Sequence, residues 1–175
     1  IREGPQVVLG RVRELITKLR VEHPELRPVA VGIGVPGPVD YDRGRPVSPP
    51  IMPGWDRYPV RDALASALGL PAVLDNDVNV MALGERAVAY PDVEHLLFIK
   101  VATGIGSGIV IDGSVRRGAQ GAAGDLGHIQ VPHDETARCR CGNVGCLEAV
   151  ASGAAIAAEI HRAAAPHHTT VVVTQ

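Results

Sequence analysis

Three cysteines, Cys139, Cys141 and Cys146, and one histidine upstream, His128, are the residues whose types and spacing point most directly to chemistry. Three soft thiolates and an imidazole suit a tetrahedral Zn²⁺. Four protein ligands leave no open position for catalysis, so a structural ion is expected. Arg138 and Arg140 flank the thiolates and could offset their charge, and Gly142 and Gly145 permit a tight knuckle. The alternative is a set of reduced, buried thiols. A disulfide framework is a poor match, because such frameworks spread even numbers of cysteines over a small secreted chain. His128 has a competing reading as a contact to a bound ligand. Both can hold, since one ring nitrogen can take the metal while the other donates a hydrogen bond.

A second constellation is Asp75-Asn76-Asp77, placed where an apolar run ends and a helical pattern begins. In open α/β sheets, ligands bind at the carboxyl ends of strands. There Asp77 could act as a general base on a hydroxyl that attacks phosphate, with Asn76 holding a neighbouring hydroxyl. The competing reading is N-capping, because Asp and Asn satisfy the free N–H groups that open a helix. Asp125 and Glu148, which flank the presumed metal ligands, favour the chemical reading. A third candidate, Thr103-Gly104-Ile105-Gly106-Ser107-Gly108, resembles a cradle in which backbone N–H groups approach an anion. It lacks the Gly-Lys-Ser/Thr of a P-loop, and the following segment reads as a strand, which excludes a dinucleotide fingerprint. A plain hairpin turn fits it equally well.

These residues need elements to position them. Val8, Val12, Leu15, Ile16 and Leu19 recur at helical spacing over residues 5–21. Val29 to Val35 is an apolar strand running into Pro36-Gly37-Pro38. Residues 40–59 read as an ordered loop, 60–69 as a short helix stopping at Gly69, and Pro71 to Leu74 as a second strand. A helix is expected from the acid cluster to about Ala89. After Pro91 the pattern changes to hairpins: Leu96–Lys100, a glycine-rich turn at 103–108, Ile109–Ile111, and a turn at Asp112-Gly113. Gly118 to Gly127 is a loop of small residues, Ile129–Val131 a strand, and Leu147 to about Ala164 a helix. Thr169 to Val173 is a β-branched run for which the sequence offers no pairing partner. Strands alternating with helices imply an α/β architecture. The change at Pro91 divides the chain into an expected N-terminal lobe, 1–91, and C-terminal lobe, 92–175.

The bulk composition narrows the function classes. Net charge is −2 over 175 residues with no basic run, which argues against binding nucleic acid through this segment. No stretch approaches the ~20 apolar residues that span a membrane, and Ile1-Arg2-Glu3-Gly4 is not a signal peptide. Clustered, unpaired cysteines fit a cytoplasmic protein. Aromatics are only 3%, so the core must be built from Val, Ile, Leu and Ala.

Taken in order, Gly34-Val35-Pro36-Gly37-Pro38-Val39, Asp75-Asn76-Asp77-Val78-Asn79, Ala102 to Gly108, Gly124-Asp125-Leu126-Gly127-His128 and Cys139-Arg140-Cys141-Gly142-Asn143-Val144-Gly145-Cys146-Leu147-Glu148 resemble the ROK family (repressor, open reading frame, kinase). The resemblance implies the actin-like, hexokinase-type (ribonuclease H-like) two-lobe fold around a cleft. It places the first strands and the closing helices outside this chain. It makes Asp77 the catalytic base and Gly37, Asn76, Asp77, Asp125, His128 and Glu148 the sugar-binding set. Thr103, Gly104 and Gly106 match a phosphate loop, and His128, Cys139, Cys141 and Cys146 the zinc ligands. The carboxylate before Gly-His is usually Glu in the family. Asp125 is shorter by one methylene, about 1.3–1.5 Å of reach.

The resemblance implies two functions. One is the sugar-sensing effector domain of a transcriptional regulator, which meets operator DNA through a helix-turn-helix outside this chain. The other is a glucokinase-like enzyme using ATP with Mg²⁺. The family's Asp-x-Gly-Gly-Thr phosphate motif is not found among these residues, which favours the regulator. A small-molecule sugar ligand and a homodimer are expected in either case.

Overall fold

The computed structural model describes residues 1–131 and 136–164. The expected β-branched segment at 169–173 lies outside them. The chain forms two compact units, Ile1–Met81 with Arg117–Ala122, and Ala82–Arg116 with the described residues from Ala123 onward. The division falls inside a helix rather than at Pro91.

The first unit opens with α1, Pro5–Glu22, whose proline stands at the first helical turn, where an N–H would have no partner. Two parallel strands follow, β1 (Val31–Val35) and β4 (Ala72–Asn76), with Val35 opposite Asn76. Between them lie a small antiparallel pair, β2 (Val39–Asp40) and β3 (Arg45–Pro46), and α2 (Val60–Leu68). Helix α2 buries Val60, Leu64 and Leu68 as one stripe. It ends at Gly69, whose φ of 64° is the left-handed cap that glycine accepts without strain. The core joins these residues to Leu9, Val35, Val39, Met52, Trp55 and Leu74. Trp55 sits in the loop expected at 40–59 and donates its indole N–H to the Ile1 carbonyl at 3.0 Å. Leu15 and Leu19, two of the α1 residues at helical apolar spacing, are exposed.

Strand β4 runs two residues beyond the expected Leu74, so Asp75 and Asn76 end a strand and only Asp77 begins α3, Asp77–Ala89. A Cβ at Gly34 would lie 3.2 Å from the Asp77 Cα. Glycine in β1 therefore lets the start of α3 come up against the strand.

The second unit contains an antiparallel sheet in the order β5 (Leu96–Val101), β6 (Ile105–Ile111) and β7 (Ser114–Val115). Asp112 and Gly113 join the last two with φ values of 53° and 69°, the left-handed pair that matches hairpin twist. Ala82, Val110 and Val115 form its buried core, with Leu96 and Phe98 against them. Three expectations need correction. The glycine-rich segment is mostly strand: β6 begins at Ile105, and Gly106 pairs with Lys100. Residues 129–131 make only an isolated bridge, Gln130 with Cys146. The last helix is two: α4 (Leu147–Ala151) and α5 (Gly153–Ala164). It breaks at Ser152, whose hydroxyl accepts the Ala155 N–H at 3.2 Å. The break frees the Gly153 N–H to reach the Ala102 carbonyl at 2.7 Å.

The small-residue loop owes its composition to backbone packing. Gly124 accepts the Ser107 N–H at 2.8 Å through its carbonyl, and a Cβ on Gly124 would overlap the Ser107 carbonyl oxygen. Gly127 meets the Ile105 carbonyl in the same way. Gly124→Ala is therefore expected to destabilise the chain by about 1–3 kcal/mol, the usual cost of overpacking. Urea unfolding checks this, and an unchanged midpoint would refute the packing account.

Candidate functional site

The cysteine segment folds as a knuckle. Arg138 bridges to Val144, the Cys139 N–H donates to the Asn143 carbonyl at 2.8 Å, and the Gly142 N–H to the Cys139 carbonyl at 3.0 Å. Gly142 and Gly145 have φ of 97° and 74°, values that side-chain-bearing residues rarely adopt. His128 closes a short 3-10 helix, Leu126–His128. The knuckle and this helix bring the ligating atoms of His128, Cys139, Cys141 and Cys146 within 4.8 Å of one another.

Two separations test the fit to a metal. Cys141 Sγ lies 3.7 Å from Cys146 Sγ, and Cys139 Sγ 3.7 Å from His128 Nδ1. Tetrahedral zinc with bonds of about 2.3 Å to sulfur and about 2.05 Å to nitrogen would separate such atoms by about 3.8 and 3.6 Å. The residues therefore fit a tetrahedral divalent ion. Because Nδ1 faces the thiols, Nε2 is left for a hydrogen bond elsewhere.

Without an ion the cluster disfavours thiolates. Burial pushes the Cys146 thiol up to about 12, and burial also raises Cys139. Cys141 moves the other way: burial raises it, but hydrogen bonds from the Asn143 N–H and the neighbouring thiols lower it further. Asp125, half-buried, is raised by burial and by Glu148, against the lowering effect of His128.

Glu148 stands in the first turn of α4 and is 13% exposed. Its Oε2 accepts the Ile105 N–H at 3.0 Å, and its Oε1 accepts from Arg140 Nη2 at 3.0 Å. A Cβ on Gly104 would overlap Oε2, so the Thr103-Gly104 turn is shaped around this carboxylate. Cys139 Sγ is 4.0 Å from Oε1. The second unit thus gathers the four metal candidates, Glu148 and the Thr103-Gly104 turn, while Gly106 lies within the β6 ladder.

In the first unit, Asn76 does what the capping alternative required. Its Oδ1 accepts the N–H groups of Val78 at 2.9 Å and Asn79 at 3.2 Å, and its Nδ2 donates to the Gly37 carbonyl at 3.0 Å. Gly37 and Asn76 are brought together, and Asp77 follows at the head of α3, its Oδ1 accepting the Val78 N–H at 3.0 Å. Asp75 is 5% exposed. Its Oδ1 accepts from the Asn76 N–H and from Asn79 Nδ2, and its Oδ2 from Arg117 Nε and Nη2 at 3.0 and 2.7 Å. The Arg117 guanidinium lies 3.7 Å over the Tyr41 ring. Sequence reasoning missed Arg117 and Tyr41. The available signal was that a carboxylate ending a buried strand needs a cation, but nothing in the spacing says which arginine supplies it.

The ROK family profile matches residues 4–174. The chain belongs to the ROK family. It is 35% identical to a glucokinase of Halalkalibacterium halodurans over 159 residues, covering 89% of this chain and 48% of that protein. It is 43% identical to a putative xylose repressor of Caldicellulosiruptor sp. over 129 residues, covering 73% of this chain and 32% of that protein. A crystal structure of a ROK hexokinase from Thermus thermophilus superposes with a TM-score of 0.76 at 38% identity, covering 93% of this chain and 54% of that one. The ROK chain thus spans about half or less of the relatives it matches, and its relatives include both repressors and glucokinases. Its α/β fold is the actin-like, hexokinase-type fold.

Two outcomes are expected. Because Cys139 and Cys146 are raised and Cys141 is lowered, zinc uptake at neutral pH should release roughly two to three protons per ion, and affinity should fall as pH falls. Calorimetry in buffers of different ionisation heat measures this, and pH-independent uptake would exclude the cysteines as ligands. Arg117→Ala should destabilise the chain by about 3–5 kcal/mol by leaving the buried Asp75 carboxylate without its cation. Arg117→Lys should recover part of that loss in thermal or urea unfolding.

Proposed function

We propose that this chain is the sugar-binding effector domain of a ROK transcriptional regulator, with a structural zinc ion held by His128, Cys139, Cys141 and Cys146. The observation that carries the sugar reading is the junction of metal cluster and carboxylate. His128 turns Nδ1 to the thiols, and Glu148 lies beside Cys139 with both oxygens oriented. A zinc ion there would supply no reaction; it would fix the segment bearing His128 and Glu148. Gly37, Asn76, Asp77, Asp125, His128 and Glu148 are the proposed sugar contacts, as acceptors and donors for hydroxyl groups.

The 43% identity to a putative xylose repressor favours the regulator. Operator DNA would then be met through a helix-turn-helix outside this chain, by a cytoplasmic homodimer. Among the described residues no helix is long and apolar enough to cross a membrane.

The second reading is an ATP-dependent sugar kinase. It is favoured by the glucokinase relatives and by Asp77, which stands after a buried strand where a base for a hydroxyl could act. In it Thr103, Gly104 and Gly106 would face phosphate, and Mg²⁺ would accompany ATP.

The intact protein decides between them. It should bind one of glucose, xylose or N-acetylmannosamine in calorimetry and release its operator when that sugar is added. ATP-dependent phosphorylation of a hexose that disappears in Asp77→Ala would establish the kinase instead. Operator binding indifferent to all three sugars, with no turnover, would defeat both readings.

A further inference from the structure

Arg140 is the residue between two metal-candidate thiols, Cys139 and Cys141. Its Nη2 donates to Glu148 Oε1 at 3.0 Å and reaches the Thr103 carbonyl at 3.4 Å. The other Glu148 oxygen is held by the Ile105 N–H at 3.0 Å. A Cβ on Gly104 would lie 3.3 Å from the same Nη2 as well as overlapping Glu148. The turn, the guanidinium and the carboxylate therefore share one closely fitted space within the second unit.

We propose that Arg140 is a positioning residue that transmits the order of the metal knuckle to Glu148 and the Thr103-Gly104 turn. The inference rests on the sugar-binding reading of Glu148. A glutamate has three side-chain torsions and points in one direction only if both oxygens are restrained. Ile105 restrains one oxygen and Arg140 the other. Residue 140 can do so because its backbone is pinned on both sides when Cys139 and Cys141 ligate a metal. A solvent-exposed ion pair would contribute little, and the Arg140 side chain is 46% exposed, but the Glu148 side chain it meets is only 13% exposed and the carboxylate accepts from a charged donor and a backbone N–H. With both oxygens accepting, the carboxylate keeps free lone pairs and stays an acceptor, which suits a hydroxyl group of a neutral sugar.

The test uses the intact protein, with glucose, xylose and N-acetylmannosamine as probes in calorimetry and zinc per chain measured in parallel. Arg140→Ala should weaken binding of whichever sugar the wild type takes by about tenfold or more, at unchanged zinc content. Arg140→Lys should recover part of the affinity, since an ammonium can reach Oε1 but lacks the planar fork. On a Glu148→Gln background, Arg140→Ala should cost much less than it does alone, because its effect passes through Glu148. Wild-type affinity in Arg140→Ala, a full additional loss on the Glu148→Gln background, or loss of zinc in both Arg140 variants would overturn the inference. Failure of the wild type to bind any of the three sugars would overturn the sugar reading, and this inference with it.

Discussion

Burying an anion obliges the chain to bring a cation or N–H donors to it, and both units are organised by that demand. In the first, Asp75 ends a buried strand and draws in Arg117, Asn79 and the Asn76 N–H. Arg117 is far away in sequence, so its pairing ties the segment Arg117–Ala122 to the end of β4. The same corner leaves Asn76 to cap α3 and clasp Gly37, which is how three adjacent polar residues come to have three different surroundings.

In the second unit the demand is larger, because three thiols and an imidazole are crowded together. Burial first, and then the neighbouring thiols, raise Cys139 and Cys146, so these two are suited to thiolate only when a cation compensates them. The surrounding geometry follows from that crowding. Positive-φ glycines turn the chain at 142 and 145, and Arg140 is directed out of the knuckle to Glu148.

Glycine performs a second task beyond turning. Gly34, Gly104, Gly124 and Gly127 each stand where a side chain would meet another segment. They let α3 approach β1, let Glu148 fill the turn, and let the loop carrying Asp125 and His128 lie directly on the backbone of β6. Reading the segment at 103–108 as one glycine-rich turn failed because Gly106 and Gly108 lie inside β6. Glycine in a strand leaves a local pattern that cannot be distinguished from a turn.

Much of this chain was legible residue by residue. Helices α1, α2 and α3 follow from apolar spacing and from Pro and Gly at their ends, and strands β1, β4 and β5 from short apolar runs. The metal candidates were legible because thiols and imidazole at such spacing have few other uses. What tertiary structure alone decided were the pairings between distant segments. Examples are Arg117 with Asp75, Glu148 with the Ile105 N–H, and the break at Ser152 that frees Gly153 for Ala102. Local periodicity records which face of an element is apolar. It carries no record of which distant donor meets a buried acceptor, because that depends on where the chain returns in space.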